Sequence, residues 1–341
     1  MSETLADIGE FGLIRRIRNL IEEASPHDSS ISVGLGDDTA SIIPSQGYEM
    51  LLTCDCLVEG RHFLSQWIEP FDIGRRAMVV NISDIGAMGG LPRFALISLG
   101  LKPSMLVSAV EEMYRGFLEE LKPFGGSIIG GNITRSNEKN FIDITLIGEV
   151  EKGKILHRSG ARSGDSILVT GYPGEAAAGL EILRKSKPEK GLKDNRLVRA
   201  YSLPSHRAWE GRAVARSGIA HAMIDTSDGF LGDLGHICEE SHVGAELTQE
   251  KFPLSETLKK ASQELAADPV ELFLGESDDY ELIIICPPSG VDDIEKIISE
   301  VSQVPVTEVG RITDKAGVMR IILPDGTGKL VFPSGWNHFS D

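Results

Sequence analysis

Apolar and polar residues alternate in two regular ways along the first half of the chain. Residues 8–24 and 104–122 repeat apolar side chains every three or four positions, which predicts amphipathic helices, and residues 72–89 carry so few charges that we expect a largely buried helix. Short apolar runs at residues 50–60 and 93–101 predict strands, and the stretches SIIGGN and FIDITLIGEV predict two more. Strands separated by long helices indicate an α/β fold.

Near residue 150 the pattern changes. The turn-rich stretch HRSGARSGD leads into a predicted strand at 166–170, and a later strand ends at Asp225, with a helix expected to start near Ser227. Three further strands and one helix are predicted: 280–286, 307–312, 319–323 and 290–302. We therefore predict a mixed α/β (α+β) protein of two domains, residues 1–150 and 151–341.

The net charge of the chain limits the kinds of ligand that it can bind. The 341 residues carry a net charge of −17, and the Lys and Arg residues are dispersed. A nucleic-acid surface needs a basic stripe, so we expect no nucleic-acid partner. An acidic protein that handles an anionic substrate needs bound divalent cations, because they reverse the local field.

Cysteine usage and hydropathy point to the cytoplasm. The spacing of Cys54 and Cys56 is poor for zinc, and these residues with Cys238 and Cys286 are expected to be free thiols. The N-terminal residues do not read as a signal peptide, and the apolar runs are too short to cross a bilayer. We expect a cytoplasmic protein without a membrane partner.

Several oxygen-bearing side chains share one context, an apolar strand or buried helix that meets a polar turn. They are Asp37, Asp38, Asp55, Asp84, Asn132, Asp225 and Asp228. Carboxylate and amide oxygens at such junctions suit Mg²⁺. Any one of these residues can equally be a helix cap or a turn former.

Asp84 is harder to explain as a cap, because it lies within the buried helix and an uncompensated carboxylate there costs several kcal/mol. Asp225 and Asp228 lie one turn apart, and simple capping remains an alternative to metal binding. Gly130 and Gly131, before Asn132, permit close approach to a ligand or merely end a strand.

Motifs of other nucleotide-binding classes do not occur. The sequence contains no GxxxxGK[ST] loop, no complete dinucleotide fingerprint at Gly34–Gly36, no protein-kinase motif set, no GxSxG and no zinc motif. If the protein binds phosphates, bound metal ions must neutralise most of their charge.

Nine motifs occur in order from residue 9 to residue 339: GEFGLI, GLGDDTA, TCDCLVEGRHF, NISDIGAMGGLP, GGNITRS, RSGARSGD, IDTSDGFLGDLGHI, DDYEL and GWNHF. Together they give the chain a resemblance to the thiamine-monophosphate kinase family. The resemblance implies two α/β domains of the type shared with aminoimidazole ribonucleotide synthetase and selenophosphate synthetase. It also implies a homodimer in which the N-terminal β-rich domains form a shared barrel.

The reaction implied by the resemblance is transfer of the γ-phosphoryl group of ATP to thiamine monophosphate, with several Mg²⁺ ions. The positions that match magnesium ligands of the family are Asp38, Thr53, Cys54, Asp55, Asp84, Asn132, Asp225 and Asp228. Those that match ATP contacts are Gly131, Asn132, Arg158, Ser227 and Tyr114, and those that match contacts to thiamine monophosphate are His62, Asp278 and Trp336.

The residues agree with such chemistry. A phosphate monoester has a second pKa near ~6, so the acceptor is already an anion at neutral pH and no catalytic acid or base is needed. Positioning and charge neutralisation would drive in-line transfer. The thiazolium cation could stack on Trp336, although a packing role for that ring is the alternative, and Arg158 is equally a phosphate contact or an ordinary surface residue.

Three departures concern the substrate more than ATP. The family usually has Thr at Cys54, Gly-Gly-Glu-Asp at residues 276–279 and Gly-Asp-Ser at residues 174–176. Two alternatives therefore stay open: another ATP-dependent enzyme of the same superfamily, and a non-catalytic metal or nucleotide sensor on the same scaffold. The complete set of aspartates argues against the sensor.

Overall fold

The computed structural model describes residues 3–24, 28–186 and 194–336, and their contacts divide them into two units. The N-terminal unit contains the described residues up to Ile85 together with Gly90–Lys152. The C-terminal unit contains Gly86–Gly89 and the described residues from Gly153 onward.

The N-terminal unit is built on a four-stranded sheet covered by helices. Its helices are α1 (Leu5–Ala24), α2 (Pro70–Ala87) and α3 (Val107–Leu121); its strands are β1 (Ile31–Val33), β2 (Ser41–Ile42), β3 (Tyr48–Val58), β4 (Leu91–Leu101), β5 (Ser127–Arg135) and β6 (Phe141–Glu151). The strand order is β3-β6-β4-β5, and a separate two-stranded sheet pairs β1 with β2. The pair β4 and β5 is parallel and is joined through α3, whereas β6 is antiparallel to both of its neighbours.

Helices α2 and α3 cross at two glycines. A Cβ atom on Gly74 would lie 2.1 Å from the carbonyl oxygen of Met113, and one on Gly116 would lie 2.1 Å from that of Phe71. The two backbones therefore touch only because both side chains are missing. This contact fixes α2, which carries the predicted ligand Asp84.

The C-terminal unit has a seven-stranded mixed sheet. Its strands are β7 (Ser166–Thr170), β8 (Ala222–Asp225), β9 (Gly244–Thr248), β10 (Leu282–Cys286), β11 (Val306–Thr313), β12 (Met319–Ile322) and β13 (Gly328–Val331). Its helices are α4 (Glu175–Lys185), α5 (Arg196–Ser202), α6 (Ala208–Ser217), α7 (Phe230–Ser241), α8 (Glu256–Leu265), α9 (Pro269–Leu274) and α10 (Val291–Val301). The order is β13-β12-β9-β11-β7-β10-β8, with β12 and β9 parallel and the other neighbours antiparallel.

Both faces of this sheet are buried. Along β10, Ile283 and Ile285 pack with Phe230 of α7, whereas Ile284 and Cys286 join a second cluster with α6 and α10. A sheet covered on both faces reads as a continuous apolar run, which is why the run at 282–286 was recognisable as a strand.

The predicted two-part α/β organisation is present, with differences at element ends. The helix expected to start near Ser227 begins at Phe230, because Gly229 has φ 120° and cannot belong to the helix. The helix expected from residue 8 starts at Leu5 and is kinked at Gly9, where φ is 64°. The sheet of the N-terminal unit is open within this chain, so the barrel of the family does not form from the described residues alone.

Candidate functional site

In the N-terminal unit, hydrogen bonds join two polar residues of strand β3 to two of helix α2. Thr53 donates a hydrogen bond to Oδ2 of Asp84, and the backbone N–H of Asp55 donates to Oδ1 of Asn81 over 3.2 Å. Asn81 is buried, and its amide nitrogen donates to the carbonyl of Ala77 over 3.0 Å, which fixes its orientation. Thr53 and Asp55 are two residues apart on a strand, so their side chains share one face.

The carboxylate of Asp84 is half-buried rather than buried, although its neighbours Ile82, Ser83 and Ile85 are buried. The hydroxyl of Thr53 solvates one of its oxygens. The cost of placing a charge there is therefore smaller than the sequence led us to expect.

Cys54 lies on the opposite face of β3. Its thiol donates to Oδ1 of Asp143 over 3.4 Å and accepts from the hydroxyl of Thr145 over 3.6 Å. The bond from Thr145 lowers the pKa of Cys54, but burial and Asp143 raise it further, so the net shift is upward. The Cys54 side chain is thus directed away from Asp84, and only its backbone could share a ligand with Asp55.

Gly131 and Asn132 lie on β5. A Cβ atom on Gly131 would lie 1.9 Å from the carbonyl oxygen of Ile97, so this position needs glycine for strand packing. Asn132 is exposed and pairs with Ser98, which in turn pairs with Asp143. Paired residues share a sheet face, so Asn132 lies on the face of Cys54 rather than on that of Asp55 and Asp84.

Asp38 is exposed in the loop between β1 and β2, where its N–H donates to Oδ1 of Asp37 over 2.8 Å. His62 is half-buried in the turn after β3, and its Nδ1 accepts the N–H of Val58 over 2.9 Å, so Nε2 carries the proton of the neutral ring. Asp37 and His62 each stabilise a turn in addition to any contact with a ligand.

Tyr114 is buried in α3. Its ring lies edge-on to that of Phe117, with centroids 5.2 Å apart, and burial raises its pKa. Core packing accounts for its position, and its assignment as an ATP contact stays a prediction.

In the C-terminal unit, strand β8 ends at Asp225 and the turn that follows is bonded to a neighbouring segment. The N–H of Thr226 donates to the carbonyl of Glu281 over 2.7 Å, and the carbonyl of Thr226 accepts the N–H of Tyr280 over 2.8 Å. Thr226 Oγ1 also accepts the N–H of Glu281 over 3.0 Å. These bonds hold the turn that carries Ser227 and Asp228.

Asp233 was not among the predicted site residues, yet its carboxylate binds the backbone of this turn. Its Oδ2 accepts the backbone N–H groups of Asp228 and Gly229 over 3.2 and 3.0 Å. Burial, followed by the charges of Asp225 and Asp228, raises the pKa of Asp233 to about 8. Its position in the first turn of α7, after an aspartate-rich turn, is a capping signal that the sequence contained.

Asp228, Asp233 and His236 bring potential ligand atoms within 4.8 Å of one another in the described part of the chain. Asp225 adds a buried carboxylate close enough to raise the pKa of Asp233. Such a concentration of negative charge is stabilised by a cation, and carboxylate oxygens are the ligands that Mg²⁺ prefers.

The altered segment 276–279 is well integrated into the fold. Asp279 accepts the N–H groups of Gly174 and Ala176 over 2.6 and 3.0 Å, and Ser277 Oγ accepts that of Ala177 over 3.2 Å. Both residues therefore cap the start of α4. Burial raises the pKa of Asp279 to about 7 against these hydrogen bonds, which lower it.

Glu281 anchors the other end of this segment. It accepts from Nε of Arg207 over 2.6 Å in a largely buried ion pair, and from the hydroxyl of Thr170 over 2.6 Å. Between the two anchors, Tyr280 has φ 54°, a strained conformation for a bulky residue. Asp278 thus lies on a segment fixed on both sides.

Trp336 is the last residue that the structure describes, and the rest of the GWNHF motif, residues 337–339, lies outside the described residues. Its N–H donates to the carbonyl of Asp228 over 3.0 Å. Trp336 and Asp228 both line a cavity of about 910 Å³, whose described lining residues do not include Asp278. Arg158 is exposed in the loop before β7.

Comparison with known proteins places this geometry in a family. The N-terminal and C-terminal domain families of AIR synthase related proteins match residues 36–150 and 162–322. A thiamine-monophosphate kinase from Aquifex aeolicus (strain VF5) is 36% identical over 335 residues, covering 98% of this chain and 99% of the relative.

Two solved structures agree. A thiamine-monophosphate kinase from Stenotrophomonas maltophilia K279a superposes with a TM-score of 0.80 at 30% identity, covering 94% of this chain and 97% of that one. AaThiL in complex with AMPPCP and TMP has a TM-score of 0.75 at 35% identity, covering 99% and 100%. The chain belongs to the thiamine-monophosphate kinase family.

Membership of the thiamine-monophosphate kinase family confirms the resemblance drawn from the nine motifs and, with it, a two-domain α/β fold and a phosphotransferase function. The individual site residues remain predictions. In the described part of this kinase-family chain, no helix has the length and hydropathy that a membrane crossing requires.

Proposed function

We propose that this chain transfers the γ-phosphoryl group of ATP to thiamine monophosphate, giving thiamine diphosphate and ADP in a Mg²⁺-dependent reaction. The observation that carries the proposal is the near full-length match to thiamine-monophosphate kinases, one of which binds AMPPCP and TMP. The two clusters of aspartates described above, one in each unit, offer the oxygen ligands for Mg²⁺ that such a reaction requires.

The residues that would hold Mg²⁺ are in two sets. In the N-terminal unit they are Asp55 and Asp84, oriented by Asn81 and Thr53, together with Asp38. In the C-terminal unit they are Asp225 and Asp228, with Asp233 beside them. Bound Mg²⁺ would supply charge neutralisation for the phosphate oxygens.

The side chains themselves would do the positioning. Asp55 presents its oxygens from strand β3 and Asp84 from helix α2. Both elements are regular and packed, so little reorganisation is needed when the substrates bind. No general base is assigned, because the acceptor phosphate is an anion at neutral pH. Arg158 and Ser227 would contact ATP, and Trp336 would face the thiazolium cation.

We also propose a homodimer that packs through the open face of the N-terminal sheet, in the manner of the family's shared barrel. Along β3, Tyr48, Met50 and Leu52 are exposed by 39%, 36% and 66% on the face opposite to Asp55. Exposed apolar rows of this kind mark interaction surfaces. Because Asn81 already accepts the N–H of Asp55, edge-to-edge pairing at that position is blocked, which favours face packing there.

The kinase reaction is tested directly with purified protein, Mg-ATP and thiamine monophosphate, followed by chromatography for thiamine diphosphate. We expect product formation that stops with excess EDTA and returns with added Mg²⁺. Coupled release of ADP with an aminoimidazole precursor, but not with thiamine monophosphate, would instead assign another reaction of the superfamily. Nucleotide binding without turnover would favour the sensor.

The dimer is tested with Leu52→Glu, which places a charge on the open face. Light scattering after gel filtration should show a shift from dimer to monomer. Leu330→Glu, at a residue that is 62% exposed on β13, is the matched control and should leave the mass unchanged. A wild-type monomer would overturn the dimer without affecting the assignment of the reaction.

A further inference from the structure

The segment Pro333–Trp336 lies along one face of helix α7. Two glycines in the interior of that helix, Gly232 and Gly235, are three residues apart and share this face. A Cβ atom on Gly235 would lie 2.7 Å from Cβ of Pro333, and one on Gly232 would lie 3.0 Å from Cα of Gly335. The segment lies this close only because both side chains are missing.

Helix stability does not call for glycine at these positions. Alanine has the higher helix propensity, and each glycine weakens the interior of a helix. Neither Gly232 nor Gly235 has a positive φ that would require glycine. The packing of the C-terminal segment is the structural reason for both residues.

The packed segment is bonded to the predicted metal ligand. The N–H of Trp336 donates to the carbonyl of Asp228 over 3.0 Å, while the N–H of Asp228 donates to Oδ2 of Asp233 over 3.2 Å. Asp228 is therefore held on both sides. A Cβ atom on Gly335 would lie 3.2 Å from Cβ of Asp228, so this approach is also tight.

The same residues form one wall of the cavity of about 910 Å³, which Asp228, Gly232, Gly235, Pro333, Gly335 and Trp336 all line. A displacement of the segment would therefore move Trp336 relative to Asp228 within the cavity. Arg158 and Ser227, which the proposed function assigns to ATP, are not among the described residues that line this cavity.

We propose that Gly232 and Gly235 are positioning residues. Their missing side chains let Pro333–Trp336 pack against α7, and this packing fixes Trp336 in position over the acceptor substrate. This inference rests on the proposed function, because the inference takes the cavity next to Trp336 as the site for thiamine monophosphate. The two glycines act through the segment and do not touch the substrate's reacting phosphate.

The decisive variant is Gly235→Ala, whose methyl group would push Pro333 outward. We expect KM for thiamine monophosphate to rise by about tenfold or more, since misplacement by about 1 Å can cost about 100-fold. KM for ATP should stay within about twofold, and the melting temperature should not fall, because alanine favours the helix. Gly328→Ala is the control, because the nearest atom to its Cβ among the described residues would be 3.7 Å away and its φ is not positive.

Rescue separates positioning from a general packing defect. The double variant Gly235→Ala with Pro333→Gly removes the two atoms closest to the new methyl group, Cβ and Cγ of Pro333, so KM for thiamine monophosphate should return towards that of Pro333→Gly alone. An equal rise in KM for both substrates, or a double variant no better than Gly235→Ala, would overturn the proposal.

Hydrogen exchange tests the docking without any substrate. The amide of Trp336, bonded to Asp228, should be protected in the wild-type protein and should exchange faster in Gly235→Ala, as measured by mass spectrometry on the C-terminal peptide. Equal exchange in the two proteins would overturn the docking. If the wild type lacks kinase activity but the exchange differs, the proposed reaction fails while the packing role stands.

Discussion

The two units hold their predicted magnesium ligands in different ways. In the N-terminal unit, Asp55 and Asp84 come from a strand and a helix, and the bonds that orient them are made by the side chains of Thr53 and Asn81. In the C-terminal unit, Asp225 and Asp228 come from one strand–turn–helix whose backbone is tied down by its neighbours.

This difference predicts how each group responds to substitution. In the N-terminal group, each ligand has its own support, so removing one support should affect mainly one ligand. In the C-terminal group, Asp233 accepts hydrogen bonds from two successive N–H groups of the turn, so its loss should disturb the whole turn. The predictions below compare the two designs.

The largest effect is expected for Asp84→Asn. The substitution keeps the volume and an acceptor for Thr53 but removes the charge, so turnover should fall on the order of 1,000-fold. The melting temperature should stay close to that of the wild type, since Asp84 is half-buried. Steady-state kinetics and a thermal melt check both points.

Asp72→Asn, in the first turn of the same helix, is the control for Asp84→Asn and should retain activity. Unchanged turnover in Asp84→Asn would remove the metal mechanism proposed for the N-terminal group.

A smaller loss is expected at Asp233, which supports ligands in the C-terminal unit. Asp233→Ala removes the acceptor of both N–H groups and should weaken activation by Mg²⁺ about 10- to 100-fold, as measured from rate against Mg²⁺ concentration. Asp233→Asn keeps an acceptor and should lose less. If the two variants lose activity equally, the charge of Asp233 supports Mg²⁺ activation, and its hydrogen bonds to the turn do not.

Asp325→Asn is a matched control for Asp233, because Asp325 also accepts a backbone N–H, that of Thr327, over 2.9 Å in an exposed turn. Its Mg²⁺ dependence should equal that of the wild type.

Thr53→Val should have a milder effect, because it removes one donor to Asp84 and leaves the carboxylate in place. We expect a loss of about tenfold in activation by Mg²⁺. Thr145→Val removes a hydroxyl on the opposite face of the same sheet, next to Cys54, and serves as the control. Equal losses in the two variants would show a general effect on the sheet instead of support of Asp84.

The sequence predicted regular elements better than the bonds between them. The strand predicted at 280–286, which the structure has at Leu282–Cys286, and the helices that contain Asp84 and Phe117 were recognisable, because each of these elements is buried along much of its length and this burial sets its apolar pattern. The start of α7 was placed too early, since the aspartates before it resemble caps while Gly229 keeps the backbone outside the helix.

Long-range partners were beyond the reach of the pattern, but the face of Cys54 was not. Period-two alternation along the strand predicted at 50–60 already places the Cys54 side chain opposite that of Asp55, and the structure has it bonded to Asp143. Asp233 was missed because it supports the ligands through backbone N–H groups, a role that no spacing of ligands reveals. The segment that carries Asp278 is held at Glu281 by Arg207, which lies 74 positions earlier in the sequence.

The smallest expected effect is on the stability of the metal-free protein. The pKa of Asp233 is raised from 3.8 to about 8 in the folded chain, so between about pH 4 and pH 8 the folded state binds more protons than the unfolded state. The free energy of unfolding therefore decreases as pH rises through this window. Asp279, with a pKa raised to about 7, contributes in the same direction.

Asp233→Asn removes the larger of these contributions while keeping a side-chain acceptor for the turn. In EDTA, its melting temperature should exceed that of the wild type at pH 8, and the difference should shrink towards pH 5, where the wild-type carboxyl is protonated in the folded state. Mg²⁺ at pH 8 should then stabilise the wild type more than the variant, because a bound cation favours the ionised carboxylate. Parallel curves of melting temperature against pH would show that Asp233 does not sense the charge of Asp225 and Asp228, and would leave the C-terminal group organised by backbone bonds alone.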